Sequence, residues 1–387
     1  MLSFDNTENA FKSKTNSDMR RSYWLFKLIG NPSLVNLGAS LGPMALNVGL
    51  KGLIKSTIFK QFVGGENIED CTNTINELAK YHIGSILDYS VEGKESEKDF
   101  EHGAEETMAT IRTAKKNPNI PFSVFKVTGM ARRDLLEKVS SKAALNESES
   151  AEWQRVKDRV GRICQLSYEY NQPLFIDAEE SWIQPAIDEM VDENMERFNK
   201  EKPLVHNTFQ LYRHDRCAFL NESIQRGKSK GYQVGAKLVR GAYMEKERER
   251  ALKMNYPSPI HETKEACDAD YDRALKLCVD NINMMSLCAG THNEKSSAYL
   301  VQLMKDKNIA HNDKRIYFSQ LLGMSDHISF NLAADGYNVV KYVPYGPVRE
   351  VLPYLIRRAQ ENTSVKGQTG RELKLIMTEK KRRASLN

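Results

Sequence analysis

The chain has 387 residues, 40% hydrophobic and 28% charged, with a formal net charge of +5. That is the composition of a globular protein with ample core, and the length suits one α/β barrel of roughly 250 residues plus an added segment. So small a net charge on so long a chain excludes the electrostatic footprint of a nucleic-acid binder. The six cysteines (71, 164, 217, 267, 278 and 288) form no Cys-x-x-Cys and no metal-ligand spacing, so they read as reduced core thiols. The first nine residues carry acids and no apolar h-region, which argues against a secretory signal and against a mitochondrial transit peptide.

Residues 1–80 predict an irregular helical segment with basic runs around Lys12–Arg21 and Lys51–Lys60. The apolar stretch Leu34–Leu50 is broken by Asn36, Gly38, Gly42, Pro43 and Asn47. It is too short and too interrupted for a membrane span, and predicts a packed helix, with a membrane-surface contact as the alternative. Phe62-Val-Gly-Gly then marks a break. From about residue 81 eight short apolar runs recur: Ile83–Tyr89, Phe122–Val127, Leu174–Ile176, Val205–Leu211, Gly235–Val239, Met284–Ala289, Ile316–Leu321 and Val339–Val343. Several have the content of strands buried on both faces. Helical patterns lie between them, at Met130–Val139, Glu152–Tyr170, Asp188–Lys200, Asp215–Lys230, His261–Asn283, Ser296–Lys307 and Asp326–Gly336. The alternation predicts a (β/α)8 barrel over 81–362 in the α/β class, behind the N-terminal helical segment. The polar stretch Ser140–Ser150 reads as a loop, and 363–387 as a solvated tail ending in basic residues.

Gly346 and Pro347 predict the start of a last helix, Pro347–Asn362, with proline at the first helical position, where a missing N–H costs nothing. Tyr354, Arg357, Arg358 and Glu361 then share one helix face. Adjacent guanidiniums repel each other, and a docked small carboxylate would satisfy both. The plainer alternative is a solvated face with one Arg–Glu pair. The strand ends add to the picture: Lys126, Asp177 with Glu179 and Glu180, Gln210 and Tyr212, Lys237 with Arg240 and Tyr243, Thr291-His292-Asn293, Gln320 and Tyr342. A lysine inside a buried strand needs a partner, and Asp177, with Glu179 and Glu180 behind it, is the obvious counter-charge for Lys126. No dinucleotide, P-loop, His-Glu-x-x-His or Gly-x-Ser-x-Gly signature is present. The residues alone point to a barrel mouth for a small amino or carboxylic acid, with the reaction open.

Tyr354-x-x-Arg-Arg-x-x-Glu361, Lys237-Leu-Val-Arg-Gly-Ala-Tyr243 and Phe175-Ile-Asp-Ala-Glu-Glu-Ser181 closely resemble the FAD-dependent proline dehydrogenase family, from about Phe62 to Ser364. Gln320-Leu-Leu-Gly-Met324 and Lys341-Tyr-Val-Pro-Tyr-Gly-Pro347 resemble its monofunctional form. The resemblance implies a distorted (β/α)8 barrel, non-covalent FAD, and oxidation of L-proline to Δ1-pyrroline-5-carboxylate by hydride transfer from C5 to flavin N5. It places Lys126, Asp177 and Tyr342 at the catalytic centre. Arg357, Arg358 and Lys126 would hold the carboxylate, with Tyr342, Tyr354, Tyr243 and Leu321 lining the pocket and Glu361 orienting the arginines. For FAD it assigns Gln210, Lys237, Arg240, Gly241, Thr291, His292, Asn293, Gln320 and Ser364, and for a lid Glu92 paired with Arg357. Two departures stand out: Lys237 where some members have arginine, and Met244 where an aromatic can stack on adenine.

Implied partners are L-proline, a membrane quinone as electron acceptor and a separate pyrroline-5-carboxylate/glutamate-semialdehyde dehydrogenase. A cytoplasmic location, with peripheral contact at a cytoplasmic or mitochondrial inner membrane, follows by analogy. Hydroxyproline dehydrogenase is the nearest rival, where serine tends to replace the residue at Tyr342. A non-catalytic amino-acid-binding barrel is the rival of another class.

Overall fold

The computed structural model describes residues 2–31, 33, 35, 51–91, 93, 95–364 and 368–386, with the backbone alone for 361–364 and 368–369. Eight parallel strands, β1 (Ile83–Tyr89), β2 (Phe122–Lys126), β3 (Leu174–Asp177), β4 (Val205–Gln210), β5 (Val234–Val239), β6 (Met285–Gly290), β7 (Ile316–Leu321) and β8 (Val339–Tyr345), form a closed barrel in sequence order. The fold class is the expected one, and each strand lies within two residues of its predicted bounds. Strands buried on both faces explain why the apolar runs were readable: β3 and β4 are buried at every position.

The chain divides into two compact units, 94–319, and 1–93 together with 320–387. In the first, the 20-residue helix Glu97–Lys116 follows β1, and the helix Met244–Met254 follows β5. Neither was expected, since the first is rich in charged and small residues and the second in charged ones. The Glu97–Lys116 helix is marked by its Ser96 cap, whose hydroxyl accepts from Asp99 N, and by Phe100, Ala104 and Ile111 on a buried stripe. The expected loop at 140–150 is shorter than predicted. Asn146 and Glu149 form a reciprocal capping box that starts the helix Glu147–Tyr170.

In the second unit β1 and β8 pair in register from Ile83↔Val339 to Tyr89↔Tyr345. The helix Asn16–Ile29 opens on a Thr15–Asp18 capping box. It packs Met19, Phe26 and Ile29 into an apolar cluster with Phe62, Val63, Met324, Tyr354, Leu355, Leu375 and Ile376. Two expectations need correcting here. The segment 347–351 is a turn, with Glu350 and Val351 N–H groups both donating to Pro347 O, and the last barrel helix runs Leu352–Ser364. Pro353 explains it: a proline belongs in a helix's first turn, and a helix begun at Pro347 would put it in the interior. The tail is not a solvated terminus, because Gln368–Ala384 is a helix that buries Leu375, Ile376, Glu372 and Glu379. The predicted packed helix at Leu34–Leu50 falls almost wholly outside the described residues.

Candidate functional site

Each unit carries a group of the expected residues. In the 94–319 unit the group is set by strand register. Lys126 pairs directly with Asp177 across β2–β3, Ile176 with Asn207 across β3–β4, and Thr208 with Lys237 across β4–β5. Lys126, Asp177 and Lys237 therefore stand at one level, and side chains pointing into the barrel from neighbouring strands meet there. Lys126 Nζ donates to Asp177 Oδ2 at 3.2 Å, and Lys237 Nζ donates to Oδ1. Asp177 is 9% exposed and Lys237 4%. Burial alone would push the Asp177 carboxyl up, but Lys237 and Lys126 outweigh it and hold it below the ordinary carboxylate range. The counter-charge expected for Lys126 is in place, and Asp177 serves two lysines.

Glu179 and Glu180 do not share that task. Glu179, fully buried, accepts from the backbone N–H of Thr128 at 2.9 Å and, through its other oxygen, from the Thr128 hydroxyl. Burial pushes its carboxyl up to about 7, helped by the Glu180 charge and opposed by Thr128 and Arg133. Glu180 instead accepts from Arg133 at 2.6 Å and Lys246 at 3.1 Å; their charges overcome burial and lower its pKa. Gln210 closes β4 and donates its amide to Glu179 O at 2.6 Å. The Thr128–Glu179 pair repeats Lys126–Asp177 two residues further along, just past the ends of β2 and β3, a signal present in the sequence but not recognisable without the β2–β3 register.

Beyond β5 and β6 lies a second set. Arg240 donates to Asp268 at 2.7 Å, to the Thr291 hydroxyl at 2.7 Å and to the Ser296 hydroxyl at 3.0 Å, with its guanidinium 4.3 Å from the Tyr271 ring centre. Asn293 caps the helix Glu294–Asp306, accepting from Lys295 N and Ser296 N, and its own N–H donates to Thr291. His292 lies half-buried between them. An arginine, a hydroxyl and a helix N-terminus together suit a phosphate-bearing cofactor. Gly241, at φ +137°, follows Arg240; a Cβ there would lie 2.5 Å from the Tyr212 ring. Tyr243 is buried just ahead of the Met244–Met254 helix, and Met244 packs on Tyr212, Ile260 and Cys267.

In the other unit the Leu352–Ser364 helix carries Tyr354, Arg357 and Arg358. Tyr354 and Arg358 are buried and Arg357 is half-buried, so this is not a solvated face. The Arg358 guanidinium sits 5.3 Å from the Tyr354 ring centre. Gln320 and Leu321 end β7, with the Ser329 hydroxyl donating to Gln320 Oε1 at 2.8 Å. Tyr342 is buried in β8, and its carbonyl accepts from Leu322 N at 2.9 Å. The side chains of Glu361 and Ser364, and the lid residue Glu92, lie outside the described residues.

Residues 71–371 match the proline dehydrogenase family model. The chain belongs to the proline dehydrogenase family. It is 32% identical to mitochondrial proline dehydrogenase 1 of Dictyostelium discoideum, over 97% of this chain and 74% of that one. It is also 32% identical to the carbapenem antibiotics biosynthesis protein CarD of Pectobacterium carotovorum, over 86% of each chain. Proline utilization A from Bdellovibrio bacteriovorus superposes with a TM-score of 0.74 at 19% identity. That match covers 92% of this chain and 38% of the larger protein, and speaks to the fold.

Proposed function

We propose that this chain oxidises L-proline to Δ1-pyrroline-5-carboxylate. The observation that carries the proposal is the Lys126–Asp177–Lys237 cluster at one level of the barrel, inside the span matched to the family. Arg357 and Arg358 would hold the substrate carboxylate with help from Lys126, and Asp177 would keep Lys126 directed while remaining ionised. Tyr342, Tyr354, Tyr243 and Leu321 would pack on the pyrrolidine ring and exclude water from it; Glu361 would orient the arginines and Glu92 would close over the substrate. Two electrons leave proline as a hydride from C5, and the ring nitrogen must be unprotonated for that to happen.

FAD is the cofactor the donor set supports: Arg240, Thr291, His292 and Asn293 suit its phosphates and adenosine, and Gln210, Lys237, Gly241 and Gln320 would meet its ring system, with Ser364 added by the family resemblance alone. FAD, when bound, supplies the hydride acceptor. Electrons would pass on to a membrane quinone. No described helix is long and apolar enough to cross a membrane. The helix Asn16–Ile29 exposes Trp24 and Leu28, with Lys27 Nζ 5.0 Å from the Trp24 ring centre, a pattern suited to lying on an anionic membrane surface. A separate dehydrogenase would consume the product.

The test is an anaerobic visible spectrum before and after L-proline is added. A bound flavin that bleaches with proline supports cofactor, substrate and reaction class together. Bleaching by trans-4-hydroxyproline alone would move the substrate to the rival. A protein that cannot be loaded with FAD would favour amino-acid binding without turnover.

A further inference from the structure

Lys341 is a fully buried lysine in β8 that the proposed chemistry does not use. Its ammonium donates to Met324 O at 2.5 Å and Leu321 O at 3.3 Å, and pairs with Asp326 Oδ1 at 2.9 Å. These partners span the last residue of β7, the turn that follows it and the first residue of the next helix, Asp326–Ala334. The turn is conformationally demanding: Gly323 has φ +75° and Ser325, a non-glycine, has φ +50°. A Cβ on Gly323 would lie 2.0 Å from the backbone oxygen of Gln61, so the turn and the N-terminal arm are pressed together.

That arm and the C-terminal helix each bond the same turn. Gln61 Nε2 donates to Gly323 O at 2.8 Å, while Gln61 Oε1 accepts from Ser22 at 3.1 Å. Glu372, from the Gln368–Ala384 helix, accepts from Ser325 N at 2.6 Å. Leu322 N donates to Tyr342 O. Five successive residues, 321 to 325, thus each have a backbone group held by another segment of the chain. A surface loop would give such groups to water. Burying a lysine here also carries a large desolvation cost, offset by Asp326 and two carbonyls, and Asp326 has a second cation in Lys14 at 3.6 Å.

We propose that Lys341 is a positioning residue for substrate binding, holding the 321–325 turn so that Leu321 presents a fixed wall to the substrate, and that Gln61 and Glu372 complete the hold from outside the barrel. This rests on the proline-oxidising function proposed above. It makes the segments flanking the barrel part of the substrate site's support. Lys341 and Tyr342 are adjacent, so one strand supplies both a pocket side chain and the anchor for its neighbour across β7.

The experiment is steady-state kinetics on the FAD-loaded full chain with L-proline, comparing Lys341→Met, Glu372→Ala and Glu372→Gln. Lys341→Met keeps the aliphatic volume and leaves Asp326 its Lys14 partner. It should raise KM for proline at least tenfold, with kcat changed less than threefold and flavin content unaltered. Glu372→Ala should raise KM several-fold, and Glu372→Gln, which keeps an acceptor for Ser325 N, should restore it. Should Lys341→Met fail to fold, the Glu372 pair decides alone. Proline KM within twofold of wild type in every folded variant, alongside a lowered Tm, would reduce the cluster to a stability element and overturn the proposal. A wild-type protein that proline does not reduce would instead overturn the function proposed above, and this inference with it.

Discussion

Two groups of charged side chains sit on different kinds of support. Lys126, Asp177 and Lys237 stand on β2, β3 and β5, where the ladder through β4 fixes their level to within a rung. Arg357 and Arg358 stand on a helix whose seat is made by segments from both ends of the chain, through Phe26, Phe62, Leu375 and Ile376. The first group is built from hydrogen-bonded backbone, with one carboxylate shared by two lysines. The second is seated by apolar packing. The contrast suggests that damage to the strand group should appear as instability, and damage to the helix group as lost affinity.

The sharpest way to break that contrast is Asp177→Ala. It leaves two lysines without their shared carboxylate in a buried site, which should cost about 3–5 kcal/mol and lower Tm, read by calorimetry. An unchanged Tm would mean that the strand group is no more structural than the helix group. Glu179 offers a test through pH. An ordinary glutamate titrates near 4.5 and this one near 7. Between those values the folded state keeps a proton that the unfolded chain has released, so the stability present below pH 4.5 is lost as pH rises to about 7. The shift sets an upper bound of about 3 kcal/mol. Glu179→Gln should flatten this slope when urea midpoints are compared at pH 5 and 7.5; parallel slopes would refute it.

On the helix side, Arg357→Met and Arg358→Met should each remove about 1.5–3 kcal/mol of charge-assisted binding, a rise of roughly 10- to 150-fold in proline KM. Thermal stability should move far less than in Asp177→Ala. A KM left unchanged in both would remove the clamp. The smallest effect concerns selectivity. Tyr342→Ser opens space beside the ring and should shift the ratio of kcat/KM for proline over trans-4-hydroxyproline toward the latter by about tenfold, on the order of 1.4 kcal/mol. No change in that ratio would show that Tyr342 does not read the ring.

The same contrast explains what was legible beforehand. Eight buried strands announce themselves as apolar runs, and Lys126 in one of them required an acid that the end of β3 supplied. Register then did the rest, and register is local. The bonds around the 321–325 turn were not visible, because Gln61 lies 262 residues before Gly323 along the chain and neither residue carries a mark of the contact. The sequence holds two prolines that can open this helix, and Pro353, which a helix begun at Pro347 would carry in its interior, sets the start at Leu352. The C-terminal helix looked like a charged tail because its apolar positions, Leu375 and Ile376, are few and its basic end is conspicuous.

Closure of the barrel has a consequence for synthesis. During translation β1 emerges early, yet its partner β8 is among the last strands to leave the ribosome, since Ile83 must wait for Val339 and Gly64 N for Pro344 O. Until then β1 presents an unpaired edge of the kind that recruits other strands. A nascent chain of this design has most reason to need a chaperone in the interval before β8 arrives, and a ribosome stalled within residues 90–338 would release a product with that edge still open.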